Sequence, residues 1–308
     1  MELLRKRGVV ILDGGLASEL ERRGHDLAHP LWSARLLMLQ PEAVGDVHRA
    51  YLEAGADVIT SAAYQASLPG FRAAGATPEE ARELYLDSLR IARAARDAFG
   101  DPDRLVAASL GPYGAFLADG SEYHGHYGIP PGELEAFHRE RIELLAHAAD
   151  EGWGPDVVAV ETLPSLAEAL SVARILAGYP SLSAWFAFSC RGTATCEGQP
   201  IDGAVRALEA FGGIVAVGIN CTAPDDVPGL LARLQGATKR PLVVYPNSGE
   251  AWDPRAKCWS GDSVFADQLQ AAREWIRMGV RLVGGCCRTT PEDVGRLVQL
   301  REELAALS

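Results

Sequence analysis

Two adjacent cysteines at the end of an apolar run are the residues of this chain best suited to chemistry. The run is Val283-Gly284-Gly285-Cys286-Cys287-Arg288-Thr289-Thr290-Pro291. Adjacent cysteines are poor disulfide partners, because the ring that they would close is strained. Glycine adopts backbone angles that other residues resist, so Gly284 and Gly285 are expected to let both sulfurs turn toward one point. A metal ion is the expected occupant of that point.

A repeated pattern of short apolar runs and longer amphipathic stretches positions these cysteines. Eight runs rich in Val, Ile, Ala and Phe are typical of strands that are buried on both faces. They are Val9–Asp13, Asp57–Ser61, Leu105–Leu110, Val157–Glu161, Ala184–Ser189, Ile214–Cys221, Pro241–Pro246 and Arg281–Cys286. Alternation with eight helices predicts an α/β fold, a single (β/α)8 TIM-type barrel domain over residues 1–308. A doubly wound sheet is disfavoured, because no G-x-G-x-x-G turn follows the first strand.

Helix boundaries carry capping signals. Thr77-Pro78-Glu79-Glu80 and Thr290-Pro291-Glu292-Asp293 each offer an N-cap threonine, a first-turn proline and a capping-box acid. Thr222-Ala223-Pro224-Asp225 predicts a looser start of the same kind. Further helices are predicted at Pro41–Ala54, Pro131–Glu151, Ser165–Ala177, Ile201–Ala210 and Ser263–Met278. The Gly- and Tyr-rich segment 111–131 is longer than a normal connection, and such loops often cover an active site.

Active sites of these barrels lie at the carboxyl ends of the strands. Cys221 ends the predicted sixth strand, so it is expected to meet Cys286 and Cys287 at the same mouth. Three thiolates with one open position make a Zn²⁺ site of the catalytic type. The other cysteines have no partner at a strand end and are interpreted as small buried hydrophobic residues: Cys190, Cys196 and Cys258.

Other polar residues offer rival or additional chemistry. His124 and His126 form an H-x-H pair, which barrel metallohydrolases place at a strand end with further ligands. Here the pair lies inside the 111–131 segment and is interpreted as a pair of surface residues. Glu161 ends an apolar strand, where a glutamate is rarely buried without a partner, and a bound ammonium group would be one such partner. Asp13, before Gly-Gly, either caps a turn or joins the same site.

Composition excludes several classes of function. Hydrophobic residues make up 48% and charged residues 23% of the chain, which is ordinary for a soluble globular protein. The formal net charge is −12 and the basic cluster Arg5-Lys6-Arg7 is short, which argues against a nucleic-acid partner. No run reaches the length of a membrane span, and the N-terminus lacks a signal-peptide pattern. Six cysteines without a secretory signal indicate free thiols in a reducing cytoplasm.

Taken together, these segments strongly resemble the homocysteine S-methyltransferases, in particular those that use S-methylmethionine or S-adenosylmethionine. The likeness extends from Leu12 to about Val294 and is most specific at the Gly-Gly-Cys-Cys segment. Its other segments are Leu12-Asp13-Gly14-Gly15, Ala54-Gly55-Ala56-Asp57, Tyr64-Gln65-Ala66-Ser67, Gly111-Pro112-Tyr113-Gly114, Glu161-Thr162-Leu163-Pro164, Gly218-Ile219-Asn220-Cys221 and Tyr245-Pro246-Asn247-Ser248-Gly249-Glu250.

The resemblance implies a reaction and a set of roles. A methyl group would pass from a sulfonium donor to the thiolate of homocysteine, giving methionine, with Zn²⁺ held by Cys221, Cys286 and Cys287. The residues implied to hold the amino-acid portion of homocysteine are Asp13, Gly14, Gly15, Ser61 and Glu161. The remaining members of the implied substrate-binding set are Tyr64, Gln65, Asn220 and Asn247.

Two departures bear on the donor. Gln65 stands where betaine-using relatives have an aromatic residue, and the chain ends at Ser308 without their C-terminal arm. Both favour a sulfonium donor over betaine, which remains the alternative within methyl transfer. A barrel metallohydrolase and a non-catalytic zinc protein are the alternatives from other classes. The identity of the donor, acceptance of a selenium analogue and the oligomeric state, monomer or small homo-oligomer, are left open.

Overall fold

The eight apolar runs form one parallel sheet. The computed structural model describes residues 2–253, 258–260 and 265–307. The strands are β1 (Val10–Ile11), β2 (Val58–Thr60), β3 (Leu105–Leu110), β4 (Val157–Leu163), β5 (Ala184–Phe188), β6 (Ile214–Asn220), β7 (Leu242–Tyr245) and β8 (Val280–Val283). Their order in the sheet is β1-β8-β7-β6-β5-β4-β3-β2, and every neighbouring pair is parallel.

Backbone hydrogen bonds join the two ends of this sheet. Leu12, directly after β1, pairs in parallel with Val58 of β2. The N–H of Asp13 donates to the carbonyl of Val58 at 3.0 Å, and the N–H of Asp57 donates to the carbonyl of Ile11 at 2.7 Å. The sheet therefore closes into a cylinder, which confirms the predicted (β/α)8 TIM-type barrel.

Helices surround the cylinder. They span Glu2–Arg7, Leu16–Arg22, Arg35–Leu39, Pro41–Glu53, Leu68–Ala73, Pro78–Phe99, Tyr113–Leu117, Pro131–Asp150, Leu166–Leu176, Ile201–Leu208, Val227–Leu234, Phe265–Arg277 and Pro291–Ala306, with 3-10 turns at Trp32–Ala34, Ser121–Tyr123 and Pro224–Asp226. The predicted helices agree with these bounds to within one or two residues, except for the helix start predicted at residues 222–225. The helix start predicted at Ser263 lies outside the described residues. No helix in the described part of the chain is long and apolar enough to cross a bilayer.

The capping signals succeed twice and fail once. Thr77 and Thr290 both form complete capping boxes, with Glu80 and Asp293 as the third helical residues. The predicted cap at Thr222 is wrong: a 3-10 turn follows it and the helix begins only at Val227. The Thr222 hydroxyl instead donates to the carbonyl of Asn220 at 2.8 Å and accepts from the N–H of Cys190 at 3.0 Å. A tertiary contact therefore overrides the local capping preference.

Most predicted strands are one to three residues too long at their carboxyl ends. The largest error is at β8, which ends at Val283 rather than Cys286. Beyond Val283 the backbone still bonds to its neighbours, since Gly284 donates to Val244 and Cys286 donates to Pro246. It does so in a loop geometry, and this lifts the site residues out of the sheet toward the mouth of the barrel.

Alternation along the strands decides which side chains enter the barrel. In β4, Val157 and Ala159 belong to the cluster inside the cylinder, whereas Val158 and Val160 pack outward under the helices. With a period of two, Glu161 follows Ala159 on the inner face. The barrel interior is apolar at its base and carries a carboxylate near its mouth.

A buried ion-pair cluster fastens the opposite end of the barrel. Asp57 is fully buried and accepts hydrogen bonds from the backbone N–H of Ile11 at 2.8 Å and from the guanidinium groups of Arg104 and Arg301. Arg301 belongs to the last helix, so a single carboxylate connects β1, β2 and both termini of the barrel.

Replacing Asp57 by Ala is expected to lower the free energy of unfolding by about 3 kcal/mol, because it removes the carboxylate that pairs with the largely buried guanidinium group of Arg301, whereas Arg104 keeps Asp101 as a second partner. Chemical denaturation monitored by circular dichroism measures this loss. As a control, Asp103→Ala removes the half-exposed partner of Lys6 and is expected to cost at most about 0.5 kcal/mol. Equal losses in the two variants would contradict the assignment.

Candidate active site

A cavity of about 410 Å³ opens at the carboxyl ends of the strands. Ten of the twelve residues predicted to form the site line it: Asp13, Gly14, Gly15, Ser61, Tyr64, Gln65, Glu161, Cys221, Cys286 and Cys287. Asn220 and Asn247 are not among the lining residues. The fold therefore gathers positions spread over most of the chain into one chamber.

Three sulfurs meet in this cavity. The thiols of Cys221, Cys286 and Cys287 lie within 4.8 Å of one another, and the sulfurs of Cys221 and Cys287 are 3.7 Å apart. A tetrahedral metal with metal–sulfur bonds of about 2.3 Å requires a sulfur–sulfur separation of about 3.8 Å. The three thiols thus fit a metal ion with a fourth position open to the cavity. Within the described part of the chain, they are the one group of side chains that could hold a metal ion.

Loop backbone holds the sulfurs in place. Cys221 directly follows β6 in the left-handed region, with φ of 48°, and its N–H donates to the carbonyl of Tyr245 at 3.2 Å. The N–H of Cys286 donates to the carbonyl of Pro246 at 2.8 Å, and the carbonyl of Cys287 accepts from Ser248 at 3.1 Å. The loops after β7 and β8 are therefore tied together under the cluster.

Gly284 and Gly285 serve a different purpose from the one that the sequence suggested. Neither has a positive φ; the residue of this turn that does is Arg288, at 65°. A Cβ atom on Gly284 would lie 2.6 Å from Cβ of Leu12, and one on Gly285 would lie 2.1 Å from Cγ2 of Thr289. The expectation of unusual backbone angles is wrong, and the glycines instead permit close approach of neighbouring chain segments.

The glycines after β1 meet the same loop from the other side. A Cβ atom on Gly14 would lie 2.7 Å from the carbonyl oxygen of Thr289, and one on Gly15 would lie 2.6 Å from that of Cys286. The N–H of Gly15 donates to Thr289 and that of Gly285 donates to Asp13, both at 3.0 Å. The loops after β1 and β8 thus pack backbone against backbone beside the sulfurs.

Glu161 is buried inside the barrel among hydrogen-bond donors. One carboxylate oxygen accepts from the hydroxyl of Ser109 at 2.5 Å, and the other accepts from that of Tyr245 at 3.1 Å. Tyr245 in turn accepts from the indole N–H of Trp185 at 3.0 Å. Burial raises the pKa of Glu161 to about 7, although both hydroxyl donors lower it, and the neighbouring Cys221 raises it further.

Asp13 supplies a second buried carboxylate. It accepts from the N–H of Thr60 at 2.6 Å and from the Thr60 hydroxyl at 3.0 Å. Burial raises the pKa of Asp13 to about 8 against these hydrogen bonds, with an additional contribution from the charge of Glu161. Neither carboxylate forms an ion pair within the described residues, so the site holds two acids that a cationic ligand would stabilise in their charged form.

The thiols influence one another before any metal is bound. Hydrogen bonds from the thiols of Cys286 and Cys287 hold the pKa of Cys221 well below its usual range. The pKa values of the two donor thiols are raised well above theirs. The three thiols therefore do not lose their protons independently of one another.

The predicted residues after β2 form the next part of the wall. The hydroxyl of Ser61 accepts from the N–H of Ser109 at 3.1 Å. The side-chain amide of Gln65 donates to the carbonyl of Ala115 at 3.2 Å. Burial raises the pKa of the Tyr64 phenol well above its usual value, which keeps that hydroxyl protonated.

Asn220 and Asn247 bond to the backbone of neighbouring loops and strands and do not line the cavity. Asn220 is fully buried; its amide oxygen accepts from the N–H of Thr162 at 2.7 Å, and its amide nitrogen donates to the Thr162 hydroxyl at 2.8 Å. Thr162 has a φ of 59°, so these bonds hold a strained residue beside Glu161. Asn247 donates its N–H to the carbonyl of Thr222 at 3.2 Å. Substrate contact by either asparagine stays a prediction.

The sequence reasoning missed one residue that touches the cluster. Tyr123, in the 111–131 segment, has its hydroxyl 3.2 Å from the sulfur of Cys221. The length and composition of that segment predicted that it covers the active site, but no pattern in the sequence indicated which of its side chains would reach the sulfurs. In contrast, His126 is exposed and lies near Glu197 at 3.5 Å, and neither it nor His124 belongs to a potential metal-binding group among the described residues.

Known proteins resemble this chain over nearly its whole length. Residues 10–300 match the family model described as homocysteine S-methyltransferase. The homocysteine S-methyltransferase YbgG of Bacillus subtilis (strain 168) is 44% identical over 295 residues, which cover 93% of this chain and 92% of that protein. The selenocysteine Se-methyltransferase of Brassica oleracea var. italica is 43% identical over 313 residues, covering 95% of this chain and 89% of that protein.

A solved structure has the same fold and nearly the same length. The crystal structure of the metallated form of the homocysteine methyltransferase MmuM from Escherichia coli aligns with a TM-score of 0.85 and 40% sequence identity. The alignment covers 96% of this chain and 97% of that one.

Replacing Glu161 by Gln is expected to stabilise the metal-free protein at pH 8. The pKa of this carboxyl group rises from 4.5 to about 7 on folding. Its burial therefore lowers the free energy of unfolding as the pH rises above 4.5, and the loss is complete above pH 7. The variant should therefore gain on the order of 3 kcal/mol at pH 8 and almost nothing near pH 4.5. Denaturant titrations across this pH range measure the gain. Glu42→Gln on the exposed helix surface is the control, and a pH-independent effect at Glu161 would refute the assignment.

Proposed function

The chain belongs to the homocysteine S-methyltransferase family and is an enzyme of the methyltransferase class, and from this premise we propose its reaction. A methyl group passes from a sulfonium donor, S-methylmethionine or S-adenosylmethionine, to the thiol of homocysteine, giving methionine. Cys221, Cys286 and Cys287 hold Zn²⁺ for this purpose. The single observation that carries the proposal is the convergence of the three sulfurs beside two buried acids in one cavity.

The donor set supports zinc. Thiolates are soft ligands that favour Zn²⁺, and the 3.7 Å between the sulfurs of Cys221 and Cys287 suits tetrahedral coordination. A bound zinc ion would supply the acidity that keeps a fourth sulfur ligand as its thiolate at neutral pH. Three protein thiolates exceed the charge of the ion, so an added sulfur retains electron density for attack. Neutral ligands would favour activation of water instead.

Glu161 and Asp13 suit the amino-acid end of homocysteine. Both carboxylates are buried and without an ion pair in the described structure, and both have raised pKa values. An ammonium group between them would favour their charged forms and compensate the cost of burial. Since this compensation requires carboxylates, homocysteine affinity is expected to fall as pH drops below about 7. The donors Ser109, Tyr245 and Thr60 fix where the ammonium group can lie.

Four further acidic side chains line the cavity and suit a cationic donor. They are Glu21, Asp26, Asp119 and Glu122. The described lining contains no Lys or Arg. Burial raises the pKa of Glu122 to about 7, which marks it as a further acid that a cation would keep charged. A sulfonium carries its positive charge on the sulfur from which the methyl group departs, so these acidic side chains attract the donor. The attraction weakens once that sulfur has become a neutral thioether.

The residues of the chain orient the two substrates. The homocysteine sulfur forms a bond to the methyl carbon while the bond from that carbon to the donor sulfur breaks, and its electron pair stays on the donor sulfur. The thiol proton passes to water before the attack, so the attacking atom is a thiolate sulfur. Holding the amino-acid end at Glu161 and the sulfur at the cysteine cluster converts the attack into a reaction between aligned groups.

The test is methionine formation from homocysteine with S-methylmethionine, S-adenosylmethionine or betaine, each with and without a chelator. Sulfonium donors are expected to support turnover that the chelator abolishes. Cys286→Ala should lose both bound zinc and at least about 100-fold in turnover, because loss of a group that only hydrogen-bonds to a metal ligand already costs about 10- to 100-fold. Cys190→Ala, a buried cysteine outside the cluster, should keep both. Turnover in a metal-free Cys286→Ala protein would refute the zinc-dependent reaction, and activity with betaine alone would refute the sulfonium donor.

A further inference from the structure

The 111–131 segment forms a fixed wall over the cysteine cluster. It contains the helix Tyr113–Leu117 and the 3-10 turn Ser121–Tyr123. The Tyr123 hydroxyl lies 3.2 Å from the sulfur of Cys221, although the two residues are 98 positions apart in sequence. The contact depends entirely on how this segment is held.

A buried glutamate fastens the segment near both of its ends. Glu168, fully buried on the helix Leu166–Leu176, accepts from the N–H of Tyr113 at 2.6 Å and from the hydroxyl of Tyr127 at 2.9 Å. It also accepts from Nε2 of His138 at 2.8 Å. One carboxylate therefore binds the segment before and after Tyr123 and connects it to the helix Pro131–Asp150.

A buried arginine completes this anchor. Arg141 donates to the carbonyl of Gly111 at 3.0 Å and to Nδ1 of His138 at 2.8 Å. Because Nδ1 accepts this bond, the proton of the neutral imidazole lies on Nε2 and points at Glu168. The side chains of Glu168, His138 and Arg141 are all fully buried and bonded in series, which restricts their motion.

The centre of the segment is held separately. The hydroxyl of Ser189 donates to the carbonyl of Glu122 at 2.9 Å. A Cβ atom on Gly114 would lie only 2.4 Å from the backbone nitrogen of Glu122, so the two stretches of the segment are in direct backbone contact. The backbone next to Tyr123 is thus fixed on both sides, and the position of its hydroxyl follows.

We propose that Tyr123 is a positioning residue that donates a hydrogen bond to the Cys221 thiolate of the metal-loaded cluster. The inference rests on the proposed function, since it assumes a metal ion on the three cysteines. A metal-bound cysteine has lost its proton, so the tyrosine must be the donor at 3.2 Å. Three thiolates on a divalent ion leave one excess negative charge in a largely buried site. A hydroxyl donor offsets part of that charge and fixes the direction of the sulfur lone pairs.

The consequence is a difference that two matched variants can measure. Tyr123→Phe deletes the hydroxyl on the sulfur, and Tyr127→Phe deletes a hydroxyl on the same segment that donates to Glu168. Tyr123→Phe is expected to weaken Zn²⁺ affinity by about 10-fold or more in chelator competition. In the Co²⁺-substituted protein, its sulfur-to-metal charge-transfer band should move to longer wavelength, because Cys221 becomes more electron-rich. Tyr127→Phe should lower thermal stability and leave the band in place.

Two results would overturn the proposal. One is an equal effect of both variants on affinity and on the band, because that would make the contact a by-product of holding the segment. The other is an absorption of ionised tyrosine that accompanies metal binding and disappears in Tyr123→Phe, because it would make the hydroxyl a metal ligand. These measurements use the metal alone, so they are independent of the proposed reaction. Wild-type protein that binds Zn²⁺ without methylating homocysteine would refute that reaction but would not contradict the role of Tyr123.

Discussion

Close backbone contact between the loops after β1 and β8 determines the rest of the site. Gly14 and Gly15 lie against the carbonyls of Thr289 and Cys286, and the N–H groups of Gly15 and Gly285 bond across the junction. The contact brings Asp13, at the end of β1, to the side of Cys286. A side chain at Gly14, Gly15 or Gly284 would push the two loops apart, so the position of the sulfurs relative to the buried acids depends on the absence of a Cβ atom at these three positions.

The second constraint is electrostatic and opposes stability. Glu161 and Asp13 are buried in the barrel mouth among hydroxyl and N–H donors, without an ion pair in the described structure, and their pKa values rise to about 7 and about 8. The fold compensates at its far end, where Asp57 joins β1, β2 and the last helix through Arg104 and Arg301. This division is typical of barrel enzymes, in which one end supplies stability and the other accepts strain for binding. In the proposed reaction, the amino group of homocysteine provides the missing positive charge.

Local patterns in the sequence predict the architecture and the meeting of the three cysteines, whereas most of the predicted substrate-binding residues follow from the family resemblance. Buried strand runs repeat eight times, and the capping boxes at Thr77 and Thr290 depend only on residues three positions apart. Contacts between distant segments are beyond such patterns. The hydroxyl of Thr222 serves Asn220 and Cys190 rather than a helix, and Gly285 is required by Thr289 rather than by its own φ. Tyr123 reaches Cys221 only because Glu168, Arg141 and Ser189 hold its segment, and no single one of these signals a site.

The central claim is that three cysteine sulfurs leave one metal position for the sulfur of homocysteine. X-ray absorption at the zinc edge of the loaded protein, recorded before and after addition of homocysteine, tests it most directly. The account predicts three sulfur neighbours and one lighter atom in the free protein, at about 2.3 Å and 2.0–2.2 Å, and four sulfur neighbours once homocysteine is bound. An unchanged count of three sulfurs on addition of homocysteine, with methionine still formed when a donor is supplied, would contradict it.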